Sequence, residues 1–196
     1  MEQKTDAQTL FTVTVFTENH VGLLSQISNS FTRRKLNIET LCVSPSSIKG
    51  IHKFTITVYS DESTMEKLVK QIEKKVDVIK AFYYTDDDLV YQEVALYKVP
   101  TVELIKEPNL ESLIRRYNVH ILEFTKDYTI LEATGHSDEV VSLFKELERY
   151  GITQYVSSGR IAVTKSTREL VTKFLAEREK EESHVESPFE KDDCLE

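Results

Sequence analysis

Glu18-Asn19-His20-Val21-Gly22-Leu23-Leu24 is the stretch of this 196-residue chain whose residue types and spacing could do chemistry. Asn37-Ile38-Glu39-Thr40-Leu41 begins fifteen residues after Gly22. The pattern predicts a strand over residues 11–17, a glycine-containing turn, and a helix whose end runs into a second strand. A helix that opens just after a glycine leaves several backbone N–H groups unpaired, at the positive end of the helix dipole. Such an end holds a carboxylate or phosphate without a cationic side chain. Two asparagines, Asn19 and Asn37, flank the helix, and each carries a donor and an acceptor in one amide. That set suits a zwitterion, with its carboxylate on the backbone N–H groups and its ammonium on an amide oxygen. The residues therefore read as a small module that senses a free amino acid. The plainer alternative is that Gly22 serves only turn geometry and Asn37 only caps a helix end.

The elements that must position this stretch follow from hydrophobic periodicity. Phe11, Val13 and Val15 alternate with Thr12 and Thr14, the period-2 signature of a half-buried strand. Leu24, Ile27 and Phe31 fall at helical spacing. A second strand is expected over 38–44, ended by Pro45-Ser46-Ser47. Phe54, Ile56 and Val58 alternate in a third, with Gly50 marking the turn before it. Met65, Leu68, Val69, Ile72 and Val76 lie on one helical face, and Ser63 with Glu66 makes a capping-box pattern at its start. A fourth strand over 78–84 completes the order βαββαβ, the ferredoxin-like split unit.

Asp86-Asp87-Asp88 interrupts as a polar turn, and the same grammar then repeats. A strand over 94–99 is stopped by Pro100, and a weak helix covers 109–117 with Leu110, Leu113 and Ile114 as its apolar face. Two strands, 119–125 and 128–134, flank a tight turn at Lys126-Asp127. A helix carrying Val140, Leu143, Phe144 and Leu147 and a strand over 152–158 follow. The expectation is an α+β chain of two ferredoxin-like βαββαβ domains. The expected division is a flexible N-terminus over 1–9, an effector-binding domain over 10–86 and a second domain over 90–176. Residues 160–165 could extend the second sheet. Ser166 with Glu169 would cap a last helix carrying Leu170, Val171, Phe174 and Leu175, and 177–196 reads as an acidic disordered tail.

Composition narrows the function classes. Residues 177–196 hold nine acids and three bases, a net of −6, so residues 1–176 carry only about −2 of the total −8. An acidic tail repels a phosphate backbone, which disfavours nucleic acid. Arg33-Arg34-Lys35 and Arg115-Arg116 are short clusters near helix ends, where cations meet the dipole favourably. No apolar run approaches the ~18 residues of a membrane span, and residues 1–8 lack the apolar core of a signal peptide. Cys42 and Cys194 stand far apart, which suits a reducing, cytoplasmic setting. The histidines at 20, 52, 120, 136 and 184 show no metal-ligand spacing; His52 and His120 read as surface or satisfied strand residues. No GxSxG, P-loop or GxGxxG occurs. The paired acids Asp61-Glu62 read as a helix start.

At Glu18, Asn19, Gly22 and Leu24, and again at Asn37, Ile38 and Leu41, the chain resembles the regulatory (small) subunit of acetolactate synthase, also called acetohydroxyacid synthase. That family opens with an ACT domain carrying E-N-x-x-G-x-L and then N-I-x-S-L; here Thr40 replaces the Ser. Residues 71–78 resemble the family's second helix and its entry into the fourth strand, and 93–99 the start of its second domain. The resemblance covers about residues 9–99. Gln26 stands where many members have Arg, Leu23 replaces a usually smaller residue, and Val156-Ser157-Ser158-Gly159 lacks the Arg that typically precedes a Ser/Thr-Gly pair.

The resemblance implies a chain with no catalysis, cofactor or metal of its own. It implies activation of a separate catalytic (large) subunit that uses thiamine diphosphate, magnesium and FAD. It further implies a homodimer through the ACT domains and feedback inhibition by valine or a related branched-chain amino acid. The effector site would comprise Asn19, His20, Val21, Gly22, Leu23, Leu24, Asn37 and Ile38. A stand-alone two-ACT sensor acting on another partner is the alternative. A hydrolase of acylphosphatase type is a third reading, but it needs an Arg in the loop after the first strand, and residues 17–22 contain none.

Overall fold

Threonines alternating with Phe11, Val13 and Val15 build β1 (Thr9–Glu18), the strand on which the first sheet is assembled. The computed structural model describes residues 9–106 and 110–166. After β1 come α1 (Leu23–Thr32), β2 (Thr40–Pro45), β3 (Ile51–Ser60), α2 (Glu62–Ile72) and β4 (Val78–Tyr84). The four strands lie in the order β2-β3-β1-β4, each pair antiparallel. Both helices cover one face: Ile27, Phe31, Met65, Leu68 and Ile72 pack on Val13, Val15, Ile56 and Val58.

A short 3₁₀ turn over Asp86–Asp88 leads into β5 (Leu89–Pro100). Next are α3 (Thr101–Ile105), α4 (Leu110–Arg116), β6 (His120–Phe124), β7 (Tyr128–Gly135), α5 (Ser137–Glu148), β8 (Gln154–Ser157) and β9 (Ile161–Thr164). Their order is β6-β7-β5-β8, the same topology as the first sheet, with β9 added beside β5. Its core joins Tyr97, Val99, Leu131, Leu143 and Leu147. Two ferredoxin-like βαββαβ units are present, as the sequence pattern requires, and both sheets fall in one compact unit. Among the described residues, no helix is long and apolar enough to cross a membrane.

Several local expectations change. In α1 the core position is taken by Leu23, 3% exposed, while Leu24 is 47% exposed. The glycine starts the helix one residue earlier than the spacing of Leu24, Ile27 and Phe31 implies, so the buried stripe is 23, 27, 30 and 31. Val76 lies beyond the end of α2 and is exposed. The cap of α2 is Asp61, whose Oδ1 accepts the Thr64 N–H at 2.9 Å, rather than Ser63. Ser63 lies inside the helix and accepts from Lys67 Nζ. The helix α3 is an addition to the pattern, and β9 bears out the extension of the second sheet by pairing Ile161–Thr164 with Gln92–Leu89. The expected last helix and acidic tail lie outside the described residues.

The largest departure concerns the threonines. Thr12, Thr14, Thr55 and Thr57 sit on the sheet face away from the helices, yet all are buried. β1 and β3 are therefore enclosed on both faces, rather than half-buried as their alternation suggests.

The cap assignment is directly testable. The Asp61 carboxyl is held below its ordinary range by its hydrogen bonds from the Thr64 hydroxyl and N–H. Replacing it with Ala removes that partner from the first turn of α2. Asp61→Ala is expected to lower the thermal midpoint by a few degrees at neutral pH, and Ser63→Ala to leave it unchanged. A carboxyl with a depressed folded-state pKa stabilises above its unfolded value and loses that effect on acidification. The difference between the two variants should therefore shrink as pH falls through the carboxylate range.

Candidate functional site

Gly22 begins α1 in the left-handed region, at φ 88° and ψ −7°, where a residue with a Cβ is strained. No side chain caps this helix end. The Gly22 carbonyl accepts the Gln26 N–H at 3.2 Å, so the amides of residues 23–25 form the open first turn. An added Cβ at Gly22 would meet nothing within 4 Å, so the strain there comes from the backbone and not from crowding. Gly22 is thus required by backbone conformation, and the same conformation leaves an anion-accepting helix end uncovered.

The other expected site residues divide sharply. Asn19, His20 and Val21 are exposed in the loop between β1 and α1. Leu24 is exposed beside them, whereas Leu23 points into the core. Ile38 is half-buried against the first core. Asn37 is exposed, and its amide donates to Glu39 Oε1 at 3.0 Å.

Strand register shows how far apart these groups stand in one protomer. Thr12 and Thr40 both pair with Thr57, and Thr17 and Pro45 both pair with His52. β2 therefore runs parallel to β1, and α1 returns the chain from the end of one to the start of the other. Ten residues of α1 span on the order of 15 Å. Gly22 and Asn37 lie at opposite ends of that span, too far for one small amino acid to touch both. The sequence brought the two motifs together only by chain order.

Behind β1 lies a cluster that the motif search missed. Arg160, between β8 and β9, is 2% exposed. Its Nη1 bonds Asp86 Oδ1 at 2.5 Å and donates to Thr12 Oγ1 on β1 at 3.2 Å. Its guanidinium stands 3.6 Å over the Tyr91 ring, and the Tyr91 hydroxyl donates to Asp86 Oδ2 at 3.0 Å. Burial and the bond to Asp86 raise the Tyr91 phenol pKa, against the pull of Arg160. The hydroxyl therefore keeps its proton and acts as donor.

Nearby, Lys53 Nζ donates to the Ala162 carbonyl at 2.5 Å, and burial lowers its pKa, against the influence of Cys42. A Cβ on Gly159 would come within 3.2 Å of the Leu41 backbone, so a side chain there would press β2 away by a few tenths of an ångström. The segment from Gly159 to Ala162 is what covers the outer face of the first sheet. A lone Arg after a Gly carries no periodic signal, which is why sequence inspection passed over it.

Residues 13–80 match the model of the AHAS small subunit-like ACT domain, and residues 92–166 match that of the small subunit of acetolactate synthase. The chain is 30% identical over 157 residues to the acetolactate synthase small subunit of Mycolicibacterium smegmatis, covering 80% of this chain and 92% of that one. Against the small subunit of Bacillus subtilis it is 28% identical over 158 residues, covering 80% and 91%. The crystal structure of the acetolactate synthase small subunit from Thermotoga maritima superposes with a TM-score of 0.73 at 25% identity, over 81% of this chain and 99% of that one.

The Arg160 cluster makes an asymmetric prediction. Asp86 is 44% exposed and can return to water if Arg160 is removed, whereas Arg160 without Asp86 is a buried cation lacking its anion. Removing one partner of a buried pair costs about 3–5 kcal/mol when the other stays buried. Asp86→Ala is therefore expected to destabilise by on the order of 3 kcal/mol, and Arg160→Met by roughly 1 kcal/mol or less. Urea denaturation checks this; equal losses would show that the guanidinium is not confined.

Proposed function

Because the chain belongs to the family of acetolactate synthase small subunits, we propose that it activates a separate catalytic subunit and makes that enzyme sensitive to a branched-chain amino acid, valine first. The thiamine diphosphate, magnesium and FAD of the reaction belong to the catalytic partner. The observation that carries the effector reading is the start of α1. A left-handed glycine holds an uncapped helix end open to solvent, with Asn19 three residues before it. A free carboxylate fits that end by backbone donors and dipole alone.

The site needs two copies of the chain. With Gly22 and Asn37 a helix length apart, the ligand's second set of contacts comes from the partner's Asn37. β2 is an edge strand, with β3 as its one neighbour, and exposes Leu41 and Val43. Edge strands of this kind pair unless covered. Antiparallel pairing of two β2 edges across a two-fold axis sets the start of one β2 beside the end of the other. Each dimer then holds two equivalent sites, each built from one 19–24 loop and the partner's Asn37. A ligand that favours one arrangement of the two protomers biases what the catalytic subunit feels.

Gly22 offers a clean test because its positive φ is one that Asp and Asn both tolerate better than other residues. Gly22→Asp places an anion where the ligand carboxylate sits, while Gly22→Asn carries the same strain without the charge. Like charges a few ångströms apart cost about 4 kcal/mol at an effective dielectric of 20, as much as a weak metabolite complex holds in total, ~4 to 6 kcal/mol. Calorimetric titration with valine should therefore give binding to the wild type and none to Gly22→Asp, with Gly22→Asn folding as well as the Asp variant. Asn37→Ala should also fail to bind alone. After the Gly22→Asp and Asn37→Ala chains are mixed and re-equilibrated, binding should return to roughly a quarter of the wild-type stoichiometry, since half the dimers carry one intact site. No recovery on mixing would place both residues in the same protomer's site and overturn the two-copy arrangement.

A further inference from the structure

At the end of β1, next to the loop just described, the fold gathers three side chains whose donor atoms can share one ion. The Glu18 N–H donates to the Asp77 carbonyl at 3.0 Å, which locks the two carboxylate-bearing residues side by side. His20 follows Glu18 by two residues, and its ring lies between the carboxylates. Its Nδ1 is 3.0 Å from Asp77 Oδ1, and its Nε2 is 3.7 Å from Glu18 Oε2. One donor atom from each residue lies within 4.8 Å of the other two. We propose that Glu18, His20 and Asp77 form a binding site for a divalent transition-metal ion of the zinc class.

The geometry and the donor set both favour that class. Metal–ligand bonds of about 2.0–2.2 Å in a tetrahedral site put donors roughly 3.3–3.6 Å apart; one atom from each of the three residues already lies within 4.8 Å of the others, so the group has to close by about an ångström around one nitrogen of His20. Small rotations of exposed side chains supply the remainder. One imidazole and two carboxylates suit zinc, cobalt or nickel. Calcium asks for six to eight oxygens, which three side chains do not provide. The second sheet supplies an internal comparison. His120 Nδ1 lies 3.0 Å from Glu132 Oε2, an equal pairing without a third ligand. Among the described residues, Glu18, His20 and Asp77 are the one group of three or more such donors. The outward positions are open to solvent, so water completes the shell. A bound ion would tie together the end of β1, the loop that precedes Gly22 and the entry to β4. The site shares His20 with the 19–24 loop of the effector reading, but its ligands are side chains and leave the α1 amides free for a carboxylate.

The test uses the full-length chain, stripped with a chelator and titrated calorimetrically with zinc chloride. One equivalent should bind saturably, and His20→Ala and Asp77→Asn should each weaken it by roughly tenfold or more, with unchanged circular dichroism. The imidazole nitrogen resonances of His20 in the wild type should shift on zinc addition, a readout that needs no variant. Absence of one-equivalent binding overturns the proposal. So does zinc binding that both folded variants retain, or that leaves the His20 resonances in place, because the ion is then held elsewhere. Valine titration of the same metal-free chain is independent, so failure of either reading leaves the other standing.

Discussion

A guanidinium cannot be buried without an anion and without donors finding acceptors, and Arg160 obtains both only where the two halves of this molecule meet. Asp86 comes from the turn that joins the two sheets, Thr12 from the first strand of one and Tyr91 from the first strand of the other. Among the described residues, Arg160 Nε and Thr17 Oγ1 are the buried side-chain atoms left without a protein partner. Arg160 therefore gains less from burial than its contacts suggest. What the cluster supplies is position, because one cation holds the joining turn and both first strands in a single arrangement.

That arrangement decides what the first sheet can be. A ferredoxin-like sheet with helices on one face leaves its other face bare unless something covers it. Here the loop and strand after β8 supply the cover, and the threonines beneath it are buried with partners at hand. Thr40 and Thr57 share a hydrogen bond at 2.7 Å, and Thr12 accepts from Arg160. Threonine suits this place, since its β-branched carbon body fills the interface while its hydroxyl satisfies a neighbour. With one face under the helices and the other under the second domain, β1 is buried through its middle, from Phe11 to Val15. The loop leading to Gly22 starts from the end of that strand.

The same topology that positions the loop also separates Gly22 from Asn37. The crossover from β1 to β2 carries the chain back along α1, so residues that close one connection cannot close the other. Chain proximity between Gly22 and Asn37 is thus a poor guide to spatial proximity. In the arrangement we propose, two copies of the fold bring together what one cannot, a common reason for ligand sites at symmetric interfaces.

By itself the sequence determined the two βαββαβ units, because alternation at period 2 and stripes at period 3.6 are local properties of each element. It also marked Gly22, since a glycine between a strand and a helix is a local requirement of the backbone. The tertiary structure alone decided that Leu23 rather than Leu24 faces the core, through the exact turn at which α1 begins. It decided that the threonine face is enclosed, that Arg160 finds Asp86 across 74 residues of chain, and that Asp77 joins Glu18 and His20. Each of these depends on which distant strands become neighbours. Pairing of that kind is set by the energy of the whole packed assembly, and no window of sequence contains it.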